Sequence, residues 1–327
     1  MPSVLIYSRW DLLGDALLKL PAIRQLRRAF PGYRITWMCG EQATVFSTVL
    51  APLVTDYLDR VIGDAGLGVS YAELLRRPWR QEYHDVVIDT QKSVKTTLLL
   101  KAGLRHGRFI SATAGFRFSD ARPEQPLPKV LPEYIMGLIN LAAGTDLQPD
   151  YRMRLPEGHL QAAAAALPPG PCYVGLSPGA GGRRKCWPLE RYIELGRHVA
   201  ARGAVPVYFI GPAEREWLAP IREQVPTALF PDSEPCAGVN PGPLLSVALA
   251  TRLSVSVAND SGGGHLLNAG NTPVITLFGP YNPAKFAPPS PTRIVITAQQ
   301  FGSDQVSDIP YAAVAERVDE IIRREHP

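Results

Sequence analysis

Two loops of this 327-residue chain combine carboxylates, cations and glycines in ways that suit an anionic ligand. The segment from Asn259 to His265 reads Asn-Asp-Ser-Gly-Gly-Gly-His, and it separates a β-rich run from a short helix that Gly270 closes. A strand ending in such a turn presents unpaired backbone N–H groups and the positive end of a helix dipole, which together bind phosphate. We therefore expect an anion-binding loop here.

The second loop covers 177–188 and reads Ser-Pro-Gly-Ala-Gly-Gly-Arg-Arg-Lys-Cys-Trp-Pro. Its glycines let the backbone approach a ligand closely, and its three consecutive cations stand just before a predicted helix, where they can neutralise a phosphate. It is not a Walker loop, because the Gly-Lys-Ser/Thr ending is absent. An ordinary solvent-exposed loop remains the alternative.

Single acidic and basic residues near predicted helix starts have two interpretations each. Asp15, directly after Gly14, either caps the first helix or acts as a general base. Glu214 either caps a helix or accepts hydrogen bonds from a ribose, and His265 is either structural or a ligand contact. Spacing alone leaves these alternatives open.

Alternating strands and helices are predicted from the first residue onward. In the first half we expect strands at 4–7, 33–38, 56–61 and 85–89, helices at 14–30, 41–51, 71–77, 93–104 and 132–143, and a loop over a cleft at 111–130. In the second half we expect strands at 172–177, 205–210, 253–257, 273–279 and 292–297, and helices at 158–167, 188–202, 214–224, 243–252, 264–270 and 310–325. This alternation predicts two Rossmann-like, doubly wound parallel-sheet α/β domains facing a central cleft.

Composition excludes several other classes of protein. The chain is 46% apolar and 20% charged, with a mean hydropathy of −0.03, and no apolar run approaches the roughly 18–20 residues that cross a bilayer. The N-terminus enters a strand without a signal sequence, so a cytoplasmic location is expected. Four scattered cysteines without a CxxC pair, and the lack of HExxH or DxD-type clusters, predict no metal site.

Basic residues are concentrated in the window 76–129, which holds 11 Lys and Arg against 5 Asp and Glu, a net charge of +6. Such a window could face an acidic substrate or an anionic membrane surface. A solvated face is the alternative.

Motifs along nearly the whole chain resemble those of the bacterial heptosyltransferases of glycosyltransferase family nine. They are Ser8-Arg9, Leu13-Gly14-Asp15-Ala16-Leu17-Leu18, Phe30-Pro31-Gly32, Tyr83 to Asp89 with Gln91 and Lys95, Pro178-Gly179-Ala180, Lys185-Cys186-Trp187-Pro188, Gly211-Pro212-Ala213-Glu214, Asn259 to His265, and Leu277 to Pro283. The last two are the most specific.

The resemblance implies a GT-B architecture, with the acceptor on the N-terminal domain and an ADP-linked sugar on the C-terminal one. It implies that Asp15 is the base, that Lys185 contacts the donor diphosphate, and that Glu214, or Glu216 in another register, contacts the nucleoside. The implied donor-binding residues are Pro178, Gly179, Lys185, Glu214, Asp260, Ser261, Gly262, Gly263, Gly264 and His265. We expect acceptor contacts from Arg9, Lys92, Lys95 and Arg117.

The expected protein is an inverting, metal-independent glycosyltransferase that moves heptose from ADP-heptose to a lipopolysaccharide core or a related anionic glycan. It needs no cofactor beyond the nucleotide-sugar co-substrate, binds no nucleic acid, and associates peripherally with the inner membrane. The expected domains are 1–155 and 156–310, with helix 311–327 packing back on the first. Departures at Trp10-Asp11-Leu12, 181–184 and 116–130 leave the acceptor open, and a donor sugar other than heptose is an alternative. A sugar-nucleotide 2-epimerase and a non-catalytic nucleotide-sugar-binding protein are the alternatives.

Overall fold

The structure, a computed structural model, describes residues 1–76, 79–279 and 293–325. The chain divides into two compact units, Met1–Arg152 and Met153–Pro327. The dividing point lies three residues before the domain boundary expected from the sequence. None of the described helices combines the length and the apolar character needed to cross a membrane.

The first unit is built on a five-stranded parallel sheet in the order β3-β2-β1-β4-β5. Its strands are β1 (Ser3–Ser8), β2 (Arg34–Cys39), β3 (Arg60–Ile62), β4 (Tyr83–Asp89) and β5 (Arg105–Ser111). Its helices are α1 (Leu13–Ile23), α2 (Leu26–Ala29), α3 (Glu73–Arg76), α4 (Val94–Gly103) and α5 (Leu131–Ala143). All six residues of the central strand β1 are buried, because helices cover both faces of the sheet.

The second unit repeats this plan with a sheet in the order β10-β9-β8-β6-β7, again entirely parallel. Its strands are β6 (Tyr173–Ser177), β7 (Val205–Tyr208), β8 (Val255–Asn259), β9 (Val274–Phe278) and β10 (Arg293–Thr297). Its helices are α6 (Glu157–Ala166), α7 (Leu189–Ala201), α8 (Leu218–Gln224), α9 (Pro243–Ala250), α10 (Gly262–Ala269) and α11 (Tyr311–Glu325). The predicted pair of parallel-sheet α/β domains is confirmed.

Each sheet reverses its strand order at one point, where loops at the carboxyl ends of the strands diverge. In the first unit this point lies between β1 and β4, and in the second it lies between β6 and β8. Open parallel sheets bind ligands at such points. The predicted site residues therefore need to be located relative to them.

Two predicted helices of the first unit differ from the structure. The helix expected at 41–51 is replaced by two single 3₁₀ turns, Val45–Ser47 and Ala51–Leu53. β-branched residues such as Thr48 and Val49 disfavour a helix there, and Pro52 lacks the N–H that would continue one. The helix expected at 14–30 is interrupted between Ile23 and Leu26, two residues after Pro21.

The final helix α11 packs within the second unit, where its apolar face joins the core formed by β6, β8 and α7. Val314 and Val318 are fully buried in that core. On its polar side, Asp319 accepts from Nε2 of His198 at 2.9 Å and pairs with Arg202 at 2.8 Å. The expected packing of this helix on the first domain stays a prediction. An apolar stripe at helical spacing can be read from sequence, but the sheet that receives it cannot.

Candidate active site

Predicted site residues in the first unit follow three neighbouring strands, β1, β4 and β5. Arg9 and Asp15 come after β1, Lys92 and Lys95 after β4, and Arg117 after β5. Because carboxyl ends of parallel strands share one edge of the sheet, the topology brings these loops to the same edge. Sequence spacing could not show that β1 and β4 are adjacent.

Asp15 is the third residue of α1 and is half-buried. The N-cap position belongs to Leu12, whose side chain cannot accept a hydrogen bond. Within the described ranges, the Asp15 carboxylate makes no hydrogen bond or ion pair. Asp15 therefore does not cap α1 through a side-chain hydrogen bond, but it lies in the first turn, where the helix dipole favours a carboxylate. Its role as a base stays a prediction.

The loop that leads to Asp15 is held by a buried ion pair that sequence reasoning missed. Nζ of Lys19 lies 2.6 Å from Oδ1 of Asp11, and it also donates to Oγ of Ser8 at 2.9 Å. Oδ2 of Asp11 accepts from Nε1 of Trp37 at 2.9 Å and from Oγ1 of Thr44 at 2.8 Å. Burial alone would raise the pKa of Asp11, but Lys19 and these donors hold that pKa below its ordinary value. A lysine among the apolar positions of α1 was the available signal.

A second buried carboxylate, Asp89, closes β4 beside the predicted acceptor residues. It accepts from Oγ1 of Thr97 at 2.6 Å, from Oγ of Ser111 at 3.0 Å and from the backbone N–H of Gln91 at 2.9 Å. Burial raises the pKa of Asp89 to about 6. The carboxylate thus fixes the start of the loop that carries Lys92.

The four predicted acceptor contacts are placed differently from one another. Arg9 pairs with Glu41 at 2.9 Å and stacks on Trp10 at 4.6 Å. Nζ of Lys92 lies 4.1 Å from the ring centre of Tyr134, and Nζ of Lys95 lies 5.2 Å from that of Tyr71. Arg117 is exposed in the segment between β5 and α5. The loops or helix starts that carry all four follow strands at one edge of the sheet, and their contact with an acceptor stays a prediction.

Other cations of the basic window have structural partners. Arg108 donates to the backbone oxygens of Ala142 and Leu141 at the end of α5, at 2.9 and 3.2 Å. Nζ of Lys101 donates to the backbone oxygen of Phe118 at 2.9 Å. Some cations of the basic window therefore bind backbone oxygens at a helix end or in a loop, whereas others are exposed to solvent.

Predicted donor residues in the second unit also follow three neighbouring strands, β6, β7 and β8. The anion loop follows β8, Pro178 to Lys185 follow β6, and Glu214 follows β7. The loops after β6 and β8 flank the point where the strand order reverses. This is the position expected for the donor site of a doubly wound sheet.

Asn259 ties these loops together, a role that the sequence did not reveal. Its side chain is fully buried; Oδ1 accepts from the backbone N–H of Trp187 at 2.9 Å, and Nδ2 donates to the backbone oxygen of Pro178 at 2.8 Å. The two partners lie on either side of the loop that carries Lys185. One buried carboxamide thus fixes both ends of that loop against the strand that leads to Asp260.

Ser261 is the N-cap of α10, and its Oγ accepts from the backbone N–H of Gly264 at 3.2 Å. The helix begins very close to the strands: a Cβ on Gly263 would lie 2.6 Å from Oγ of Ser177, and one on Gly264 would lie 2.5 Å from the backbone oxygen of Asn259. A Cβ on Gly262 would meet open space. A small depression lies beside the start of α10. Its lining consists of Asn259, Asp260, Ser261, Gly264, His265, Asn268 and Thr276.

Glu214 lies against two glycines. A Cβ on Gly179 would be 2.8 Å from the Cδ of Glu214, and one on Gly211 would be 2.5 Å from its Oε2. Glu214 is half-buried in the 3₁₀ helix Pro212–Trp217, and burial raises its pKa. Glu216 is instead exposed and pairs with Arg183 at 2.6 Å. Both carboxylates therefore contact the predicted donor loop 177–188: Glu214 does so half-buried against Gly179, and Glu216 through an exposed ion pair with Arg183.

Lys185 ends the single 3₁₀ turn Arg183–Lys185 and is half-exposed, two residues before the anchored Trp187. Pro280 to Pro283 of the last predicted motif lie outside the described residues. Among the residues that the structure describes, no three His, Cys, Asp or Glu side chains come together as metal ligands would.

Comparison with known proteins identifies the family. Residues 73–308 match the sequence model of glycosyltransferase family 9 (heptosyltransferase). The chain is 20% identical over 322 residues to the lipopolysaccharide core heptosyltransferase OpsX of Haemophilus influenzae, covering 95% of this chain and 90% of that protein. It is 26% identical over 292 residues to lipopolysaccharide heptosyltransferase 1 of Pseudomonas aeruginosa, covering 83% and 77%.

Among solved structures, Escherichia coli heptosyltransferase WaaC with ADP-2-deoxy-2-fluoro heptose matches with a TM-score of 0.68 at 21% identity, covering 97% of this chain and 99% of WaaC. The fold is therefore the GT-B fold that these enzymes share. The family match covers most of the chain, and it agrees with the loops found at the carboxyl edges of the two sheets. This protein is therefore a glycosyltransferase and belongs to glycosyltransferase family 9, the heptosyltransferase family.

Proposed function

We propose that the protein transfers heptose from ADP-heptose to a hydroxyl group of a lipopolysaccharide core, with inversion at the anomeric carbon. One observation supports the proposed binding of the donor. Glycines form the start of α10, and beside it lies the loop with Lys185, which Asn259 holds at both ends. Helix N–H groups and a lysine suit a diphosphate. ADP-heptose is favoured because the family and its relatives are heptosyltransferases.

In this proposal Asp15 is the general base. Its carboxylate takes the proton of the acceptor hydroxyl as that oxygen attacks the anomeric carbon from the face opposite the diphosphate. The bond between the anomeric carbon and the diphosphate oxygen breaks, and ADP leaves with both electrons. The half-buried carboxylate without a partner among the described residues supports this role.

In this proposal Lys185 and the N-terminal N–H groups of α10 stabilise the departing ADP, because an ammonium group and helix N–H groups offset the charge that the diphosphate gains. Glu214 binds the nucleoside, and the glycines at 179 and 211 allow its carboxylate to lie close to the backbone there. These protein groups make a metal ion unnecessary in the proposal. No other cofactor takes part.

The acceptor is a glycolipid, so we place the enzyme at the cytoplasmic face of the inner membrane as a peripheral protein. Arg9, Lys92, Lys95 and Arg117 would contact phosphates or carboxylates of the core. Their common sheet edge, shared with Asp15, supports this assignment.

The test is to incubate the purified protein with ADP-heptose and a truncated lipopolysaccharide core, and to follow ADP release and the mass of the glycolipid. We expect one heptose to be added, with and without a chelator. Donor alone should remain unchanged; its conversion to an epimer would indicate a 2-epimerase instead. Donor binding without turnover on any truncated core would indicate a non-catalytic binding protein.

A further inference from the structure

Four large apolar side chains are exposed together on the first unit. Tyr71, just before α3, is 63% exposed, and Leu75, in α3, is 89% exposed. Val94 and Leu98 on α4 are each 46% exposed. Val94 and Leu98 are four residues apart and therefore lie on one face of α4. Clustered apolar exposure of this kind marks an interaction site rather than the ordinary scatter of single side chains.

The helices that carry these residues are neighbours. Helices α3 and α4 contact each other, and Nζ of Lys95 lies 5.2 Å from the ring centre of Tyr71. The opposite face of α4 holds Leu99 and Leu100, both buried under the sheet. The exposed apolar residues of α4 therefore do not belong to the hydrophobic core. We call Tyr71, Leu75, Val94 and Leu98 the α3–α4 patch.

Only positive charge surrounds the α3–α4 patch on these two segments. Lys92, Lys95 and Arg105 are exposed at or beside α4. The single acidic residue of 71–76 and 92–105 is Glu73, which is 9% exposed and accepts hydrogen bonds from the backbone N–H groups of Gly68, Val69 and Ser70. No carboxylate of these segments thus faces solvent beside the patch.

We propose that the α3–α4 patch docks the protein on an anionic phospholipid bilayer. Leu75, Val94 and Leu98 enter the boundary between headgroups and acyl chains, Tyr71 lies at that boundary, and Arg105 contacts anionic headgroups. An apolar strip whose own segments, 71–76 and 92–105, expose cations and no carboxylate matches a negatively charged bilayer better than it matches a folded protein, whose surface carries both signs of charge.

The position of the patch links docking to catalysis. α4 starts five residues after β4 ends, at the same sheet edge as Lys92 and the loop of Asp15. A glycolipid acceptor has its lipid in the bilayer and its sugars beside it. Docking through α4 therefore holds the acceptor edge close to those sugars; this link rests on the proposed function, whereas the binding itself does not.

The experiment is co-sedimentation of the full chain with vesicles of equal parts phosphatidylglycerol and phosphatidylcholine, and with pure phosphatidylcholine vesicles. The test variant is Leu75→Ser with Leu98→Ser, the charge variant is Arg105→Glu, and the matched control is Phe301→Ser, an exposed apolar residue of the second unit. Thermal unfolding checks that each variant folds.

We expect the wild type and Phe301→Ser to bind the anionic vesicles equally, the double variant to bind at least about tenfold more weakly, and Arg105→Glu to bind more weakly than the wild type. Transfer to a lipid-free core oligosaccharide should be unchanged in the double variant. Wild-type protein that ignores anionic vesicles, or a double variant that binds them as the wild type does, overturns the proposal; the second result would point to a protein partner for the patch. Failure of transfer with intact vesicle binding would count against the proposed function alone.

Discussion

The ammonium group of Lys19 and the carboxylate of Asp11 form an ion pair 2.6 Å long in which the two side chains are only 7% and 0% exposed. The pair joins α1 to the loop that precedes it. Asp15 lies in the first turn of that helix, four residues after Asp11, so the position of the proposed base depends on a salt bridge that takes no part in the chemistry.

Substitution of Asp11 by alanine should lower the free energy of unfolding by about 3–5 kcal/mol, because it leaves the buried Lys19 without its counter-charge. Urea unfolding of the two proteins measures the difference. The double variant Asp11→Leu with Lys19→Met should recover much of the loss. A single variant as stable as the wild type would show that Lys19 finds another partner.

Asp15→Asn should leave stability and ADP affinity nearly unchanged but lower kcat by about 10²–10⁴-fold, the usual contribution of a general base. The carboxamide keeps the shape of the side chain and cannot take the proton. Calorimetric titration with ADP and steady-state transfer assays separate the two effects. Ordinary turnover by this variant would remove Asp15 from the mechanism.

The three glycines of α10 should respond to alanine in graded fashion. Gly262→Ala should be neutral or stabilising by up to about 1 kcal/mol, because its Cβ meets open space in a helix. Gly263→Ala meets a serine side chain that can rotate, whereas Gly264→Ala meets the backbone oxygen of Asn259 and should be the most damaging. Thermal unfolding and ADP affinity should both follow this order.

The two candidate acids after β7 should also separate. Glu214→Gln should weaken ADP binding, since the carboxylate lies beside Gly179 of the donor loop, whereas Glu216→Gln should change affinity little. Loss of the exposed pair with Arg183 should alter stability by less than about 1 kcal/mol. The reverse order of affinities, measured by calorimetry, would assign the nucleoside contact to Glu216.

Asp89 should make stability depend on pH. Its folded-state pKa of about 6 lies above the ordinary value near 3.9. Between these two pH values the folded state therefore holds a proton that the unfolded chain has released. Stability from this group is complete below about pH 4 and is lost as pH rises through about 6, by about 3 kcal/mol. Urea unfolding across this range should show that Asp89→Asn gains stability over the wild type as pH rises. Parallel pH profiles would refute the raised pKa.

Sequence patterns were sufficient to predict where the strands and most of the helices lie. Buried parallel strands appear as unbroken apolar runs, as Val86-Val87-Ile88 does, and helix starts and ends carried recognisable residues. The patterns failed at 41–51, where β-branched residues and Pro52 outweighed a plausible helical length. Local propensity is a weak guide in such short segments.

The site could be predicted only in part. Asp260 and Lys185 could be recognised as candidate site residues from the glycines and charged residues next to them in sequence. Their individual roles were inferred from the family resemblance. Asn259 could not be recognised as an anchor, because Trp187 and Pro178 lie 72 and 81 residues away. The same limit applies to Asp11, whose partners Trp37 and Thr44 come from other elements.

The indole N–H of Trp187 donates to the backbone oxygen of Ile309 at 2.9 Å, and Arg191 donates to the same oxygen at 2.5 Å. The family match ends at residue 308, one position before that oxygen. A chain that ends at residue 308 would lose both bonds as well as α11, so the end of the Lys185 loop would lose its hydrogen bonds to the segment before α11 and keep the one to Asn259. Anyone trimming this enzyme for expression should therefore keep the sequence through α11, even though it lies outside the region that defines the family.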